Sequence, residues 1–314
     1  MRVADKMLFN QVTSNLGKNR SQMSELQNQA ATQKRVTKPS DDPVAASRVL
    51  ASRVDLAGNQ QYLKSLEYAR SFLDFSDQSL NEISENLMRA KELAISQASD
   101  ASANETTRRV TAAEVEQIYN QIIQIGNRKL GDRFVFGGFK TTTPPFNLSG
   151  EYLGDSGEMK IPTDKGAFVA MNIPGDKIFL GGSLAEKPAD FREPASQSAP
   201  EERGVNIFQA VRQLEISLRT NDKESIQDSL DRLDQALSQV VMARAEAGSR
   251  VSALNNIFDS LQQARVDNQI SISQLEDVDI FSVVSDMNRA ENTLQATLAT
   301  SGKLIQPSLL DFLR

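Results

Sequence analysis

The stretch KRVTKPSDDPVAASRVL, residues 34–50, separates two helices and so decides how the chain on either side folds. Proline lacks an N–H and clashes with the preceding helical turn, so Pro39 and Pro43 exclude one continuous helix. Asp42 followed by Pro43 is typical of an N-cap and the first residue of a helix, and Asp41 favours the positive helix end. One helix therefore ends before Pro39, and the next begins at Asp42.

The composition of the 314-residue chain argues against several classes of function. A net charge of −6 disfavours general binding to nucleic acid or to an anionic membrane. The chain contains no Cys and no His, so it lacks a thiol nucleophile, the commonest general base and the commonest metal ligand. The sequence predicts neither an enzyme nor a site for a cofactor or metal.

Two clusters of charged residues are interpreted as ordinary solvated surface. Glu276, Asp277 and Asp279 lie close together, but they lack the glycine and the distant glutamate of a calcium loop. We interpret these three residues as a solvated acidic helix start. The pair Arg108 and Arg109 follows a predicted helix start and is expected to face solvent.

Apolar residues recur at alternating spacings of three and four in four stretches, which are residues 12–30, 62–94, 226–261 and 280–305. Shorter helices are predicted around residues 115–125 and 205–218. Sustained seven-residue repeats are typical of helices that pack lengthwise in bundles or coiled coils. The chain is therefore expected to consist mainly of long helices.

The middle of the chain, from residue 131 to residue 200, is rich in glycine and proline and lacks the helical pattern. Four short apolar or alternating runs lie between its turn residues and predict strands and hairpins. These runs are RFVFGGF at 133–139, EMKIP at 158–162, AFVAMNI at 167–173 and KIFLGG at 177–182. Residues 185–203 are polar and are interpreted as a linker back to the helices.

These patterns predict a mainly α fold with a β-rich insert. We expect an elongated multi-helix bundle or coiled coil, with the N- and C-terminal helices paired and a small β domain at the far end. The predicted domains are a terminal coiled-coil assembly domain of residues 1–42 and 266–314, a helical bundle rod domain of 43–136 and 204–265, and a variable β-rich insert with its linker at 137–203.

The terminal helices allow two interpretations. Residues 1–60 carry nine basic and five acidic side chains, and residues 250–314 carry five basic and eight acidic ones. These opposite charges favour pairing of the two ends, but exposed ion pairs contribute only about 0–1 kcal/mol each. A thin apolar stripe must also offset about 1–2 kcal/mol of ordering entropy per residue. A terminal pair that is marginal in the monomer and an ordinary closed bundle with folded ends are equal alternatives.

Several segments of the sequence resemble the bacterial flagellin family. They are MRVADKMLFNQVTSNL at residues 1–16, the opening motif at 34–50, IIQIGNRKLGDRFVFGGFKTTTPPF at 122–146, ARAEAGSRVSALNNIF at 243–258, and SQLEDVDIFSVVSDMNRAENTLQATLATSGKLIQPSLLDFLR at 273–314. The insert from residue 150 to residue 200 carries no such resemblance. The segments span both helical ends and their junctions with the insert.

The resemblance implies a structural adaptor that forms a ring at the junction between the flagellar hook and the filament. Its implied partners are hook-associated protein 1, flagellin, neighbouring copies of itself and a flagellar export chaperone. It also implies export in an unfolded state by the flagellar type III apparatus, without a cleaved signal peptide, to the extracellular flagellum. A flagellin-type filament subunit is the alternative, and a cytosolic coiled-coil scaffold is an alternative of a different class.

The resemblance further implies termini that are disordered in the monomer and form a coiled coil on assembly. The residues expected at the assembly interface are Leu8, Val12, Leu16, Met23 and Leu26 on the N-terminal helix, and Ile280, Val283, Met287, Leu294, Leu298 and Ile305 on the C-terminal helix. The expected hinge between this pair and the bundle consists of Pro39, Ser40, Asp41, Asp42 and Pro43.

Overall fold

The computed structural model describes residues 2–98, 104–181 and 204–305, without the side chains of residues 2–5, 8 and 302–305. These described parts of the chain contain seven α-helices and four β-strands. The helices are α1 (Arg2–Thr32), α2 (Pro43–Ala98), α3 (Glu105–Gly126), α4 (Gly175–Phe179), α5 (Ile207–Thr220), α6 (Lys223–Glu276) and α7 (Ile280–Ile305). The strands are β1 (Lys129–Leu130), β2 (Arg133–Phe134), β3 (Lys160–Asp164) and β4 (Ala167–Ala170).

The predicted fold class, mainly α with a β-rich insert, is confirmed by this architecture. The chain divides into two compact units, unit 1 of residues 1–59 and 262–314 and unit 2 of residues 60–261. Within unit 1, α1 pairs with α7, as the sequence predicts. In the described residues, no helix has the length and apolar character needed to cross a membrane.

Unit 2 has a continuous apolar core between its helices. The predicted seven-residue repeats supply it, since Leu66, Leu73, Leu80, Ile83 and Leu87 of α2 are all almost completely buried. Facing residues on the other helices are equally buried, among them Ile122 of α3, Leu214 of α5 and Leu233 and Val240 of α6. Each such side chain contributes roughly 1.5–3 kcal/mol by leaving water, so this core accounts for the stability of unit 2.

The β content of the insert is smaller than the sequence predicts. The strands form two separate two-stranded antiparallel sheets, with β1 paired to β2 and β3 paired to β4. The run KIFLGG was expected to be a strand, but residues 175–179 form helix α4, so this prediction is wrong. A short apolar run suits a buried helical turn as well as a strand, and Pro174, at φ −63°, starts the helical turn.

The insert shares its core with the helices. Phe146 and Phe179 lie with ring centroids 4.6 Å apart, and both pack against Phe208 of α5 at 5.0 and 5.4 Å. Phe136 completes this aromatic cluster through an edge contact with Phe179 at 5.5 Å. The buried aromatic residues of the insert therefore belong to the same core as α3 and α5.

The expectation for Arg108 is wrong, because its side chain is buried with 5% exposed. Its guanidinium donates hydrogen bonds to the carbonyl oxygen of Gln97 at 3.1 and 3.3 Å and to the side chain of Asn221. The last carbonyls of a helix have no partner within the helix, so this arginine satisfies one at the end of α2. Arg109 faces solvent, as expected.

Candidate assembly interface

The opening motif forms the joint between α1 and α2. Asp42 is the N-cap of α2, since its Oδ1 accepts a hydrogen bond from the Ala45 N–H at 2.9 Å and Pro43 is the first helical residue. This geometry is the one that the sequence predicts. Pro39 and Ser40 are exposed and lie in a turn, which is closed by a hydrogen bond from the Asp41 N–H to the Lys38 carbonyl at 3.0 Å.

Asp41 closes this turn as well and takes no part in capping the helix. Its Oδ2 accepts hydrogen bonds from the Lys38 N–H at 2.9 Å, the Thr37 N–H at 3.1 Å and the Thr37 hydroxyl at 3.0 Å. These hydrogen bonds hold the pKa of Asp41 below its usual value, and the bond from the Lys38 N–H has the largest effect. Asp41 therefore stabilises the turn, and Asp42 caps α2.

A second joint, residues 277–279 between α6 and α7, packs directly against the first. The Arg35 N–H donates to the Glu276 carbonyl at 2.7 Å, and the Val278 N–H donates to the Gln33 carbonyl at 3.2 Å. Lys34 and Asp277 form an isolated antiparallel bridge between the same two segments. The two chain reversals that lead into the terminal helices are therefore held together by backbone hydrogen bonds.

A buried carboxylate ties the two joints to α2. Glu276 is 8% exposed at its side chain and lies 2.7 Å from Lys34 Nζ, and Arg53 Nη2 donates to its Oε1 at 2.8 Å and its Oε2 at 2.7 Å. We call these three residues the Glu276 anchor. Burial alone would raise the pKa of Glu276, but the hydrogen bonds from Lys34 and Arg53 outweigh burial and lower this pKa.

The interpretation of Glu276 as part of a solvated helix start is therefore wrong. It is the last residue of α6 and is buried, whereas Asp277 and Asp279 are exposed. No local pattern distinguishes Glu276 from its two acidic neighbours, because its partners Lys34 and Arg53 lie more than two hundred residues earlier in the chain. The only signal in the sequence was the opposite charge of the two chain ends.

The expected interface residues lie on α1 and α7, and the pairing of these helices leaves most of them partly exposed. Val12, Leu16, Met23 and Leu26 are half-buried, as are Met287 and Leu294, while Val283 is buried. Ile280 and Leu298 are 37% and 47% exposed. Leu8 and Ile305 lie in the two helices but outside the residues whose side chains the structure describes.

The seam between α1 and α7 contains a polar contact and two hollows. Asn19 interrupts the apolar stripe of α1, and its Nδ2 donates to Thr297 Oγ1 at 3.0 Å. Two open cavities of about 290 and 380 Å³ are both lined by Asn19, the first with Leu26 and Arg289 and the second with Val12 and Ser301. Compared with the core of unit 2, this seam leaves more of its apolar side chains partly exposed to solvent.

Comparison with known proteins shows which proteins this chain is similar to. Residues 3–138 match the family model described as the bacterial flagellin N-terminal helical region. The chain is 28% identical over 309 residues to flagellar hook-associated protein 3 of Salmonella typhimurium, covering 96% of each chain. It is 23% identical over 310 residues to the flagellar filament 41 kDa core protein of Borreliella burgdorferi, covering 86% of this chain and 88% of the relative.

Solved structures show the same fold. A flagellar hook-associated protein from Vibrio parahaemolyticus superposes with a TM-score of 0.64 at 18% identity and covers 76% of this chain and 100% of its own. The flagellar junction protein from Legionella pneumophila gives a TM-score of 0.57 at 19% identity and covers 73% and 100%.

By its fold and these matches, the chain is similar to the structural proteins of the bacterial flagellin class, which are not enzymes. Within this class, the relatives indicate a flagellar hook-associated or junction protein. The resemblance noted in the sequence is thereby confirmed over almost the whole chain.

Proposed function

We propose that the chain is the adaptor that forms the junction ring between the hook-associated protein 1 layer of the flagellar hook and the flagellin filament. One observation carries this proposal, the identity of 28% with a hook-associated protein 3 over 96% of both chains. The filament protein of Borreliella burgdorferi shares less, 23%, over a smaller share of the chain. This difference favours the junction adaptor over a filament subunit.

Assembly proceeds through the termini. In this proposal, residues 1–42 and 266–314 form the assembly domain, and their half-exposed stripe is covered when neighbouring subunits and the hook-associated protein 1 and flagellin layers pack against it. Burial of Leu16, Met23 and Met287 in the assembly provides the free energy that offsets the ordering of the terminal helices. Folding of the termini is therefore coupled to assembly, whereas the helical bundle and the insert fold after export and before the subunit assembles.

The two joints lie between the terminal helices, which fold on assembly, and the helical bundle, which is folded beforehand. Pro39 to Pro43 act as the hinge between the assembly helix α1 and the bundle helix α2. The Glu276 anchor supports this role, because it ties Lys34, which precedes the hinge, to the last residue of α6 and to Arg53 of α2. Before assembly, a flagellar export chaperone holds the chain, which leaves the cell unfolded through the flagellar type III apparatus and functions on the extracellular flagellum.

The test is immunogold electron microscopy of intact flagella with an antibody against residues 140–180 of the insert. A single site of label at the boundary between hook and filament is the expected result. Label along the whole filament would identify a filament subunit, and cells with label only in the cytosol would favour the coiled-coil scaffold. A strain that lacks the gene for this chain is the control for background label.

A further inference from the structure

Two short helical faces of unit 1 are apolar and lie outside the packing described above. The first is on α2, where Val44, Leu50 and Val54 are 63%, 64% and 63% exposed. At about 100° per residue these side chains lie away from the stripe that α2 buries through Ala45 and Val49. We call Val44, Leu50 and Val54 the α2 outer face.

The second apolar face is at the start of α7. Ile280, Phe281 and Val284 are 37%, 88% and 42% exposed, whereas Val283 between them is 3% exposed. An aromatic side chain is the kind of residue that most often anchors a protein interface, and one so fully in water leaves a large apolar area uncovered. We call Ile280, Phe281 and Val284 the α7 outer face.

Charged residues of opposite sign border the two faces. Around the axis of α2 the apolar arc lies between Arg48 and Arg53, and along α7 Glu291 lies two turns after Val284 on the same side of the helix. Arg48 is exposed to solvent. Arg53 contributes to the Glu276 anchor but remains 52% exposed.

Glu291 makes only a weak contact of its own. It accepts a hydrogen bond from Gln295 at 3.4 Å, and both side chains are exposed. A long, exposed hydrogen bond of this type contributes little, so a new partner can replace it at little cost. The α7 outer face therefore presents an acidic border, and the α2 outer face presents a basic border.

We propose that the α2 outer face of one copy docks on the α7 outer face of the next copy. This inference rests on the proposed function, since a ring needs head-to-tail contacts in which each subunit uses two different surfaces. Apolar contact through Phe281 provides affinity, and the basic and acidic borders set the register. Pairing of the α7 outer face with itself is disfavoured because it brings acidic borders together.

The absence of cysteine from the chain allows a direct test. Two full-length variants, Leu50→Cys and Phe281→Cys with different epitope tags, are produced together in flagellated cells. The isolated flagella are treated with a mild oxidant and run on a non-reducing gel. The expected result is a disulfide-linked dimer that carries both tags, because the proposed docking brings position 50 of one copy next to position 281 of the next.

The matched control replaces Leu50→Cys with Val110→Cys on α3, a position that is 69% exposed but outside both faces. The mixed dimer from Leu50→Cys and Phe281→Cys should exceed the control by about tenfold, which corresponds to about 1.4 kcal/mol of preference. Equal yields, or dimers of Phe281→Cys with itself, would overturn the proposed docking.

A charge exchange provides the second measurement. Arg48→Glu and Glu291→Arg are each expected to lower incorporation into flagella, and the double variant is expected to restore it, because the exchanged charges again attract. Failure of the double variant to recover contradicts the pairing of these two faces. If immunogold places the chain at the junction and both measurements fail, only the docking is rejected. A chain that is absent from the junction rejects the proposed function and this inference together.

Discussion

Glu276 occupies an unusual position for an acidic residue. Its carboxylate is buried and contacts two cationic side chains, Lys34 and Arg53, which are themselves partly exposed to solvent. Lys34 and Arg53 are 42% and 52% exposed at their side chains, so they extend over Glu276 and cover it. A buried carboxylate is tolerated only while its hydrogen bonds persist. The stability of the contact between the two joints therefore depends on the negative charge of Glu276.

Replacement of this carboxylate provides a test at the scale of one residue. Glu276→Gln keeps the shape of the side chain but removes the charge, and we expect unit 1 to lose about 1–2 kcal/mol of stability. Hydrogen exchange of the Ala45 to Val49 amides at pH 7 measures this loss. Glu291→Gln, at an exposed position on α7, is the matched control and should change the exchange little.

The same residue predicts a dependence on pH. The pKa of Glu276 is lowered in the folded chain, so its contribution to stability is present above the carboxyl pKa of the unfolded chain, about 4.3. It is lost as the pH falls through that value towards the folded pKa. The difference between the natural chain and Glu276→Gln should therefore shrink between about pH 6 and about pH 3. A constant difference over this range would show that the charge is not responsible.

At this scale the sequence predicts what is local. The cap at Asp42 follows from the identity of its neighbour Pro43, and the structure has the predicted cap. The partner of Glu276 could not be predicted in this way, because no spacing rule connects residues 223 positions apart, as Arg53 and Glu276 are. The burial of Arg108 could not be predicted either, because its partner Gln97 lies at the end of another helix.

The elements differ in how strongly their patterns specify them. Long helices repeat the same apolar spacing many times, so errors at single residues average out, and α2 and α6 extend over 56 and 54 residues. Short elements have no such redundancy. Residues 175–179 form α4 because Ile178 and Phe179 reach the shared aromatic core from a helical turn, which the local pattern does not show.

The contact between the insert and α5 predicts a test at the scale of elements. Gly150 has φ +77°, and a Cβ at this position would lie 2.8 Å from Phe208 of α5. Gly150→Ala is expected to destabilise unit 2, through backbone strain and through the clash with the aromatic core. Urea denaturation measures the effect.

Gly166 in the β3–β4 hairpin separates the two causes. It has φ +86°, but a Cβ at this position would meet no atom within 4 Å, so Gly166→Ala tests the strain alone. We expect Gly150→Ala to cost about 1–3 kcal/mol more than Gly166→Ala. Equal costs would mean that the insert moves away from α5 without penalty.

The whole molecule combines two units that bury their apolar residues to different degrees. In unit 2 the apolar stripe of α2 between Leu66 and Leu87 is almost completely buried, whereas in unit 1 the stripes of α1 and α7 are half-buried. A residue of the same type therefore has a different role in each unit. The sequence predicts both stripes from the same repeat, but the degree of burial depends on how many helices surround each one.

This difference in burial predicts that one leucine substitution mainly lowers monomer stability and that another mainly lowers assembly. Leu80→Ala in unit 2 removes a side chain that is 0% exposed and should cost about 2–5 kcal/mol in urea denaturation of the monomer. Leu16→Ala on α1 should cost the monomer about 1 kcal/mol or less but lower incorporation into flagella. If Leu16→Ala leaves incorporation unchanged, α1 is not part of the assembly interface.

The contact between the two joints can form only late in folding. As the N-terminal part of the chain appears first, Lys34 and Arg53 are present long before Glu276, and a loop of more than two hundred residues separates them. Closing such a loop is entropically costly and slow while the intervening chain is unfolded. Once unit 2 has folded, the loop is already compact and the remaining entropy of closure is small. The pairing of the two joints therefore completes folding and cannot begin it.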